Sequence, residues 1–277
     1  MKLSSTLLAA LLAGSTTLFA QEKQLVKLWE TDSVLKTPES VLYDPTGKLL
    51  YISNIDGDPG KKDGAGSIGK MSPDGKELVV EWVKGLNGPT GMGLQGNTLW
   101  VADVDGVVAI DTKKASIESR IPIAGAGFLN DVSVGPNGDV YVTDSKNGNI
   151  HLIRDGKASL LLSNITGING VLANNTGLYY LAKGALYKAG TGGAAATKIA
   201  DGMEESTDGV EMTPSGDFIV SSWVGVVYYV KADGAKTVLL DGKAQKRSSA
   251  DIGYDRNAGV VYIPTFFSNT VAAYQLK

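Results

Sequence analysis

Residues 130–143 read Asn-Asp-Val-Ser-Val-Gly-Pro-Asn-Gly-Asp-Val-Tyr-Val-Thr. Val132 and Val134 alternate with small residues, Pro136-Asn137-Gly138-Asp139 supplies a tight turn, and Val140–Thr143 forms a second β-branched and aromatic run. Alternation, turn and alternation predict a β-hairpin. The same layout recurs at Glu39–Tyr43 with Leu50–Ser53, Thr90–Leu94 with Leu99–Ala102, and Asn169–Leu172 with Leu178–Tyr180. It returns at Asp208–Met212 with Phe218–Val220 and at Ala250–Tyr254 with Val260–Ile263. A unit of ~40 residues holding about four short strands is the signature of a β-propeller. The expected fold is therefore all-β, a six-bladed β-propeller with four-stranded blades. Each blade is too small to bury its own apolar faces, so neighbours must stack around a central channel.

Taken in order, Leu25–Glu30 reads as an isolated strand, while the last repeat supplies only three strands, near 251–254, 260–264 and 270–276. The N-terminal strand is expected to complete the last blade as its outer edge, which removes an open seam. Blade one carries an insertion over 54–65, rich in Gly, Asp and Lys, and Gly190–Thr197 reads as a solvated link between two strands of blade four. Residues 21–277 are expected to form one domain.

The formal charge is −3, with Lys and Arg spread along the chain, so the clustered basic charge of a nucleic-acid footprint is missing. There are no cysteines, which excludes disulfides, thiolate metal sites and a lipoprotein anchor. Residues 1–20 read as a signal peptide, with Lys2 as the positive region, Leu7–Ala13 as the apolar core and Leu18-Phe19-Ala20 as the cleavage site. The expectation is export to a bacterial periplasm or beyond, without membrane insertion.

Aligning the residue that opens each inner strand gives Glu39, Thr90, Asn130, Asn169, Asp208 and Ala250; the next column is Ser40, Gly91, Asp131, Gly170, Gly209 and Asp251. Inner strands surround the channel, so both columns should converge near one mouth. Almost all of these groups are oxygen donors, and no Lys or Arg opens an inner strand. Crowding Glu39, Asp131, Asp208 and Asp251 is costly without a cation. Ca²⁺, which takes ~6–8 oxygens including carboxylates and amide carbonyls, fits Glu39, Asn130, Asn169 and Asp208, with Mg²⁺ or Mn²⁺ as other hard candidates. Local turn bonding by Asn and Asp is the alternative explanation.

At these residues the chain resembles the senescence-marker-protein/regucalcin/gluconolactonase family of six-bladed propellers, with paraoxonases and strictosidine synthases as distant relatives. The resemblance is carried by Pro38-Glu39-Ser40, Asn130-Asp131, Ile168-Asn169-Gly170, Asp208-Gly209 and Ala250-Asp251-Ile252-Gly253-Tyr254. It implies that Glu39, Asn169 and Asp208 hold one divalent ion, with Asn130 as a fourth ligand or a substrate contact. The implied activity is lactone hydrolysis: the ion acts as Lewis acid and Asp208, or else Asp131, as general base. Two features depart from the relatives. The single histidine, His151, falls on a third strand away from the axis, and the loop Ala124–Leu129 lacks the Arg of the sugar-lactonase branch.

If inner strands start at the ion, the loops between second and third strands return to the same face. That places Asp103, Asp144, Lys146, Lys183, Trp223, Phe266 and Phe267 near the opening, and makes the blade-one insertion a candidate lid. Thr90, Asn130, Asp131, Asp251, Trp223 and Phe266 are the expected substrate contacts. Asp56-Gly57-Asp58 resembles part of a calcium loop, although an ordinary flexible turn explains it better. The expected function is a metal-dependent hydrolase of a small lactone or ester. The alternative is a non-enzymatic, Ca²⁺-stabilised propeller that binds a ligand or a protein. The sequence leaves the oligomeric state open.

Overall fold

The computed structural model describes residues 22–192 and 194–277, so the expected signal peptide lies outside the described residues. Strand β1 (Leu25–Glu30) is followed by blade one, made of β2 (Pro38–Asp44), β3 (Leu49–Asn54), β4 (Gly66–Met71) and β5 (Leu78–Leu86). Blade two is β6 (Pro89–Gln95), β7 (Thr98–Asp103), β8 (Gly106–Asp111) and β9 (Ser116–Pro122). Blade three is β10 (Leu129–Val134), β11 (Val140–Asp144), β12 (Asn149–Arg154) and β13 (Lys157–Leu162). Blade four is β14 (Ile168–Asn174), β15 (Gly177–Ala182), β16 (Ala185–Lys188) and β17 (Thr197–Ala200). Blade five is β18 (Thr207–Met212), β19 (Phe218–Ser222), β20 (Val226–Val230) and β21 (Lys236–Asp241). Blade six holds β22 (Gly253–Asp255), β23 (Val260–Pro264) and β24 (Val271–Leu276), and β1 adds to it as the outer strand. The molecule is a six-bladed β-propeller of four-stranded antiparallel sheets.

Six apolar clusters hold the ring, one at each junction between blades. The two-residue period of a strand explains this, because successive side chains leave a sheet on opposite faces. On β15, Tyr180 joins Ile168 of its own blade against Ile150 of blade three, while Leu181 packs toward blade five with Phe218 and Val220. Middle strands such as β20 are therefore buried on both faces, and outer strands such as β9 and β13 are largely exposed.

The seam between blades six and one is closed at both ends of the radius. At the rim, β1 pairs with β24 from Leu25 opposite Leu276 to Glu30 opposite Ala272. The Glu30 carboxylate accepts from Arg247 at 2.5 Å and from Thr270 at 2.7 Å. At the axis, Asp251 N–H donates to the Glu39 carbonyl at 3.0 Å and Val41 N–H to the Asp251 carbonyl at 3.2 Å.

Candidate metal centre

Five inner strands break register at the polar columns. The shift falls between Pro38 and Ser40, Pro89 and Met92, Leu129 and Val132, Ile168 and Val171, and Thr207 and Val210. A β-bulge re-aims side chains and frees ladder groups, and such bulges concentrate beside active sites. In three blades a fully buried hydroxyl of the second strand takes up a freed N–H: Ser53 accepts from Ser40 at 2.9 Å, Thr143 from Asp131 at 2.9 Å and Ser221 from Gly209 at 2.8 Å. The following residue anchors the loop that leads into the inner strand. Asn54 accepts from Lys36 N–H, Asp103 from the N–H groups of Asn87 and Gly88, and Asp144 from those of Gly127 and Phe128. In blades one and three, two adjacent residues at the end of the second strand thus fix both the bulge and the loop before it.

The bulges bring Glu39, Thr90, Asn130, Asn169 and Asp208 to the wall of one cavity of about 290 Å³, together with Trp223 and Phe266. Glu39 and Asp208 are buried, and Asn130 and Asn169 half-buried. Burial first, and then repulsion from Asp208, Asp251 and Asp131, pushes the Glu39 carboxyl well above the usual carboxylate range. Burial and the Asp251 charge do the same to Asp208, opposed by a hydrogen bond from Asn169. Two buried acceptors aimed into this region, Glu39 Oε2 and Asn169 Oδ1, have no hydrogen-bond partner in the protein. A buried acceptor without a donor costs about 1–3 kcal/mol.

Asp131 and Asp251 do not join this cavity. They line a second one, of about 350 Å³, with Ser40, Val171 and Glu211. Their oxygens are already engaged: Asp131 accepts from the N–H groups of Val132 and Val171, both at 2.6 Å, and Asp251 from Ser40 Oγ at 2.6 Å. Burial still pushes Asp251 up to about 6, against its bond from Ser40, and Glu211 up to about 8. The expected convergence of both columns at one mouth is replaced by a division between two, because neighbouring residues of a strand diverge.

Inner strands must pack closely for this arrangement. A Cβ on Gly170 would stand 2.1 Å from the Asp208 carbonyl oxygen, and one on Gly209 would stand 2.4 Å from Asp251 Oδ1.

Asp103 and Asp144, expected near the opening, are buried loop anchors, and Asp103 also meets Arg120 at 3.0 Å. Lys146 and Lys183 are exposed, and neither lines the cavity. His151 lies on β12, 4.0 Å from Asp144, with burial lowering its pKa. Within the insertion, Asp58 accepts from Gly60 N–H at 2.9 Å, which is turn bonding. Ile55 and Pro59 of the same insertion line the cavity. The residues missed were Asn54, Ser53, Thr143 and Ser221, together with the anchoring role of Asp103 and Asp144. Their signal is a small or hydroxyl residue followed by Asn, Asp or Ser at the end of each second strand: Ser53-Asn54, Ala102-Asp103, Thr143-Asp144 and Ser221-Ser222.

The donors fit a hard cation. Two orphaned acceptors and mutually repelling carboxylates are the arrangement that Ca²⁺ relieves. Among the described residues, no three His, Cys, Asp or Glu side chains are grouped for metal ligation. The candidate set offers two carboxylates, Glu39 and Asp208, and completes itself with the amides of Asn130 and Asn169.

The NHL repeat family matches residues 127–151, which span blade three from its bulged inner strand to the third strand. No curated protein sequence matches the chain. Solved structures share the fold. A gluconolactonase-family protein superposes with a TM-score of 0.68 at 13% identity, covering 94% of this chain and 94% of its own. A streptogramin B lyase gives 0.64 at 12% identity over 92% and 98%. A luciferin-regenerating enzyme gives 0.63 at 14% identity over 92% and 95%. These likenesses establish the propeller and nothing finer.

Proposed function

We propose that this propeller is a divalent-cation-dependent hydrolase of a small lactone or related ester. The observation that carries the reading is the pair of buried, unpartnered acceptors, Glu39 Oε2 and Asn169 Oδ1, beside the repelled carboxylate of Asp208. Glu39, Asn130, Asn169 and Asp208 would hold Ca²⁺, or another hard divalent ion. When bound, that ion supplies Lewis-acid polarisation of the ester carbonyl and stabilises its oxyanion.

The remaining work falls to the protein. Asp208 takes a proton from the attacking water as its oxygen bonds to the carbonyl carbon, then returns it to the departing alkoxide as the ring C–O bond breaks. Asn169 orients the Asp208 carboxylate through its amide hydrogen bond. Asp131, the other candidate base, has both oxygens committed to backbone N–H groups and faces the second cavity, which favours Asp208. Thr90, Trp223 and Phe266 surround the substrate.

The gluconolactonase-family neighbour supports a lactonase-type reading through its fold, but the same fold carries a lyase and a luciferin-regenerating enzyme, so the site must decide. The test is pH-stat hydrolysis of a lactone panel by the metal-stripped protein, before and after Ca²⁺ is restored, with Asp208→Ala as control. Turnover that returns with Ca²⁺ and vanishes in the variant is expected. A second reading, a Ca²⁺-stabilised binding propeller, is favoured by the cavity wall, where no Lys or Arg is found among the described residues. Ca²⁺ that raises Tm without turnover of any lactone would select it. Export follows from residues 1–20 and belongs to the proposal.

A further inference from the structure

We infer that the rim of this cavity selects substrates whose substituent is a neutral alkyl or aryl group, in preference to polyhydroxylated ones. The inference rests on the hydrolase reading for its reaction but on the rim alone for its selectivity.

The cavity that holds the Glu39 and Asp208 carboxylates is also lined by five apolar residues. Ile55 and Pro59 come from the blade-one insertion, Phe128 from the loop before β10, and Trp223 and Phe266 from loops of blades five and six. The hydroxyls among them are already engaged: Thr90 Oγ1 donates to the Leu129 carbonyl at 3.3 Å, and Ser206 Oγ bonds Ser222 Oγ at 3.0 Å. A sugar-derived substrate would leave its water to meet a wall with few free partners, and the hydrogen bonds it forfeits count against it. An alkyl or aryl group has nothing to forfeit and gains burial.

The aromatic rim is built, and part of it faces solvent. Trp223, Phe266 and Phe267 pack edge to face, with ring centroids 5.6, 5.9 and 4.7 Å apart. Trp223 is 37% exposed and Phe267 71% exposed, so the fold leaves aromatic surface uncovered at a concave opening. Phe266 holds a left-handed backbone with φ of 51°, a conformation a bulky residue rarely adopts. Its turn is clamped from both sides: Thr265 bonds Thr270, Asn269 Oδ1 accepts from Thr37 N–H at 2.9 Å, and the Ser268 carbonyl accepts from Ser33 at 2.8 Å. Strain of this kind persists where surrounding structure enforces it, and here it presents a ring to the cavity.

The experiment is a fluorescence titration of the Ca²⁺-loaded protein with two unhydrolysable lactams, a γ-heptyl-γ-lactam and D-glucono-δ-lactam. Of the four tryptophans, Trp223 is the one beside the cavity, and Trp223→Phe identifies its signal. Phe266→Asn removes the ring while suiting the left-handed backbone. The heptyl lactam should quench Trp223 and bind at least roughly tenfold tighter than the gluconolactam, a difference of about 1.4 kcal/mol. Phe266→Asn should erase most of that preference. If that variant does not fold, Phe267→Ala, at an exposed ring, should reduce the preference by a smaller factor. Equal or tighter gluconolactam binding overturns the inference. Parallel pH-stat assays on the matching lactones separate the two readings. Heptyl-lactam binding without any turnover sinks the hydrolase and leaves the rim's selectivity standing. Turnover that favours gluconolactone does the reverse.

Discussion

The channel has two mouths built from adjacent residues of the same strands, and they treat acidic groups in opposite ways. At one, Asp131 and Asp251 sit against backbone N–H groups and a serine hydroxyl that satisfy them. At the other, Glu39 and Asn169 point buried oxygens at no donor, while repulsion between carboxylates is common to both. Residue type does not separate the two, since both are carboxylate-rich. Donor supply does. A carboxylate that the chain itself completes is part of the scaffold, whereas one it leaves incomplete is an invitation to a ligand.

The largest effect should come from the incomplete mouth. Glu39→Gln or Asp208→Ala should lower lactone turnover by at least ~10²–10³-fold, the scale of a lost general base or oxyanion stabiliser. Calorimetric Ca²⁺ binding should be lost, while the Tm of the Ca²⁺-free protein stays level or rises because a repelled charge has gone. A large drop in that Tm would break the contrast.

At the satisfied mouth, Asp131→Ala should invert the pattern. Two buried N–H groups lose their acceptor, at about 1–3 kcal/mol each. For a domain of this size that is roughly 4–24 °C in Tm by thermal melting, with Ca²⁺ affinity kept within a few-fold. Gly170→Ala, which sets a methyl 2.1 Å from the Asp208 carbonyl oxygen, joins the two sides. Overpacking at about 1–3 kcal/mol should lower Tm and weaken Ca²⁺ together.

The smallest effect is a baseline away from both mouths. Burial opposes ionisation of Glu30, yet its bonds from Arg247, Lys27 and Thr270 bring its pKa down to about 2. A depressed acid contributes stability above its unfolded pKa of about 4.5 and loses it as pH falls through the folded value. Glu30→Gln should therefore melt slightly below the parent at pH 7 and converge with it between roughly pH 4.5 and 2. A gap that persists at the acid end would mean that Glu30 acts through something other than its charge.

Much of the architecture was legible because hairpin turns and alternation repeat with the blade, down to Leu25–Glu30 completing the last sheet. The column Glu39, Asn130, Asn169 and Asp208 was legible as a set for the same reason. The bulges were not, since an extra residue in a strand leaves no compositional trace, and without them Asp131 and Asp251 read as sharing the cavity of Asp208 rather than lining the second one. Asp103 and Asp144 misled in a related way. An acidic residue at a strand end looks like a mouth residue until the N–H groups it accepts are seen.

The pairing of β1 with β24 also dictates an order of events during synthesis. Leu25–Glu30 leaves the ribosome with its partner not yet translated, and it stays an unmatched edge until residues 271–276 arrive. Five blades can stack before then, but the ring cannot lock, so a chain cut short by a few residues at Val271–Leu276 would lose its clasp rather than one strand of twenty-four. A protein assembled this way has an incentive to keep its first strand short and half-polar, as Lys27 and Glu30 make it, while it waits.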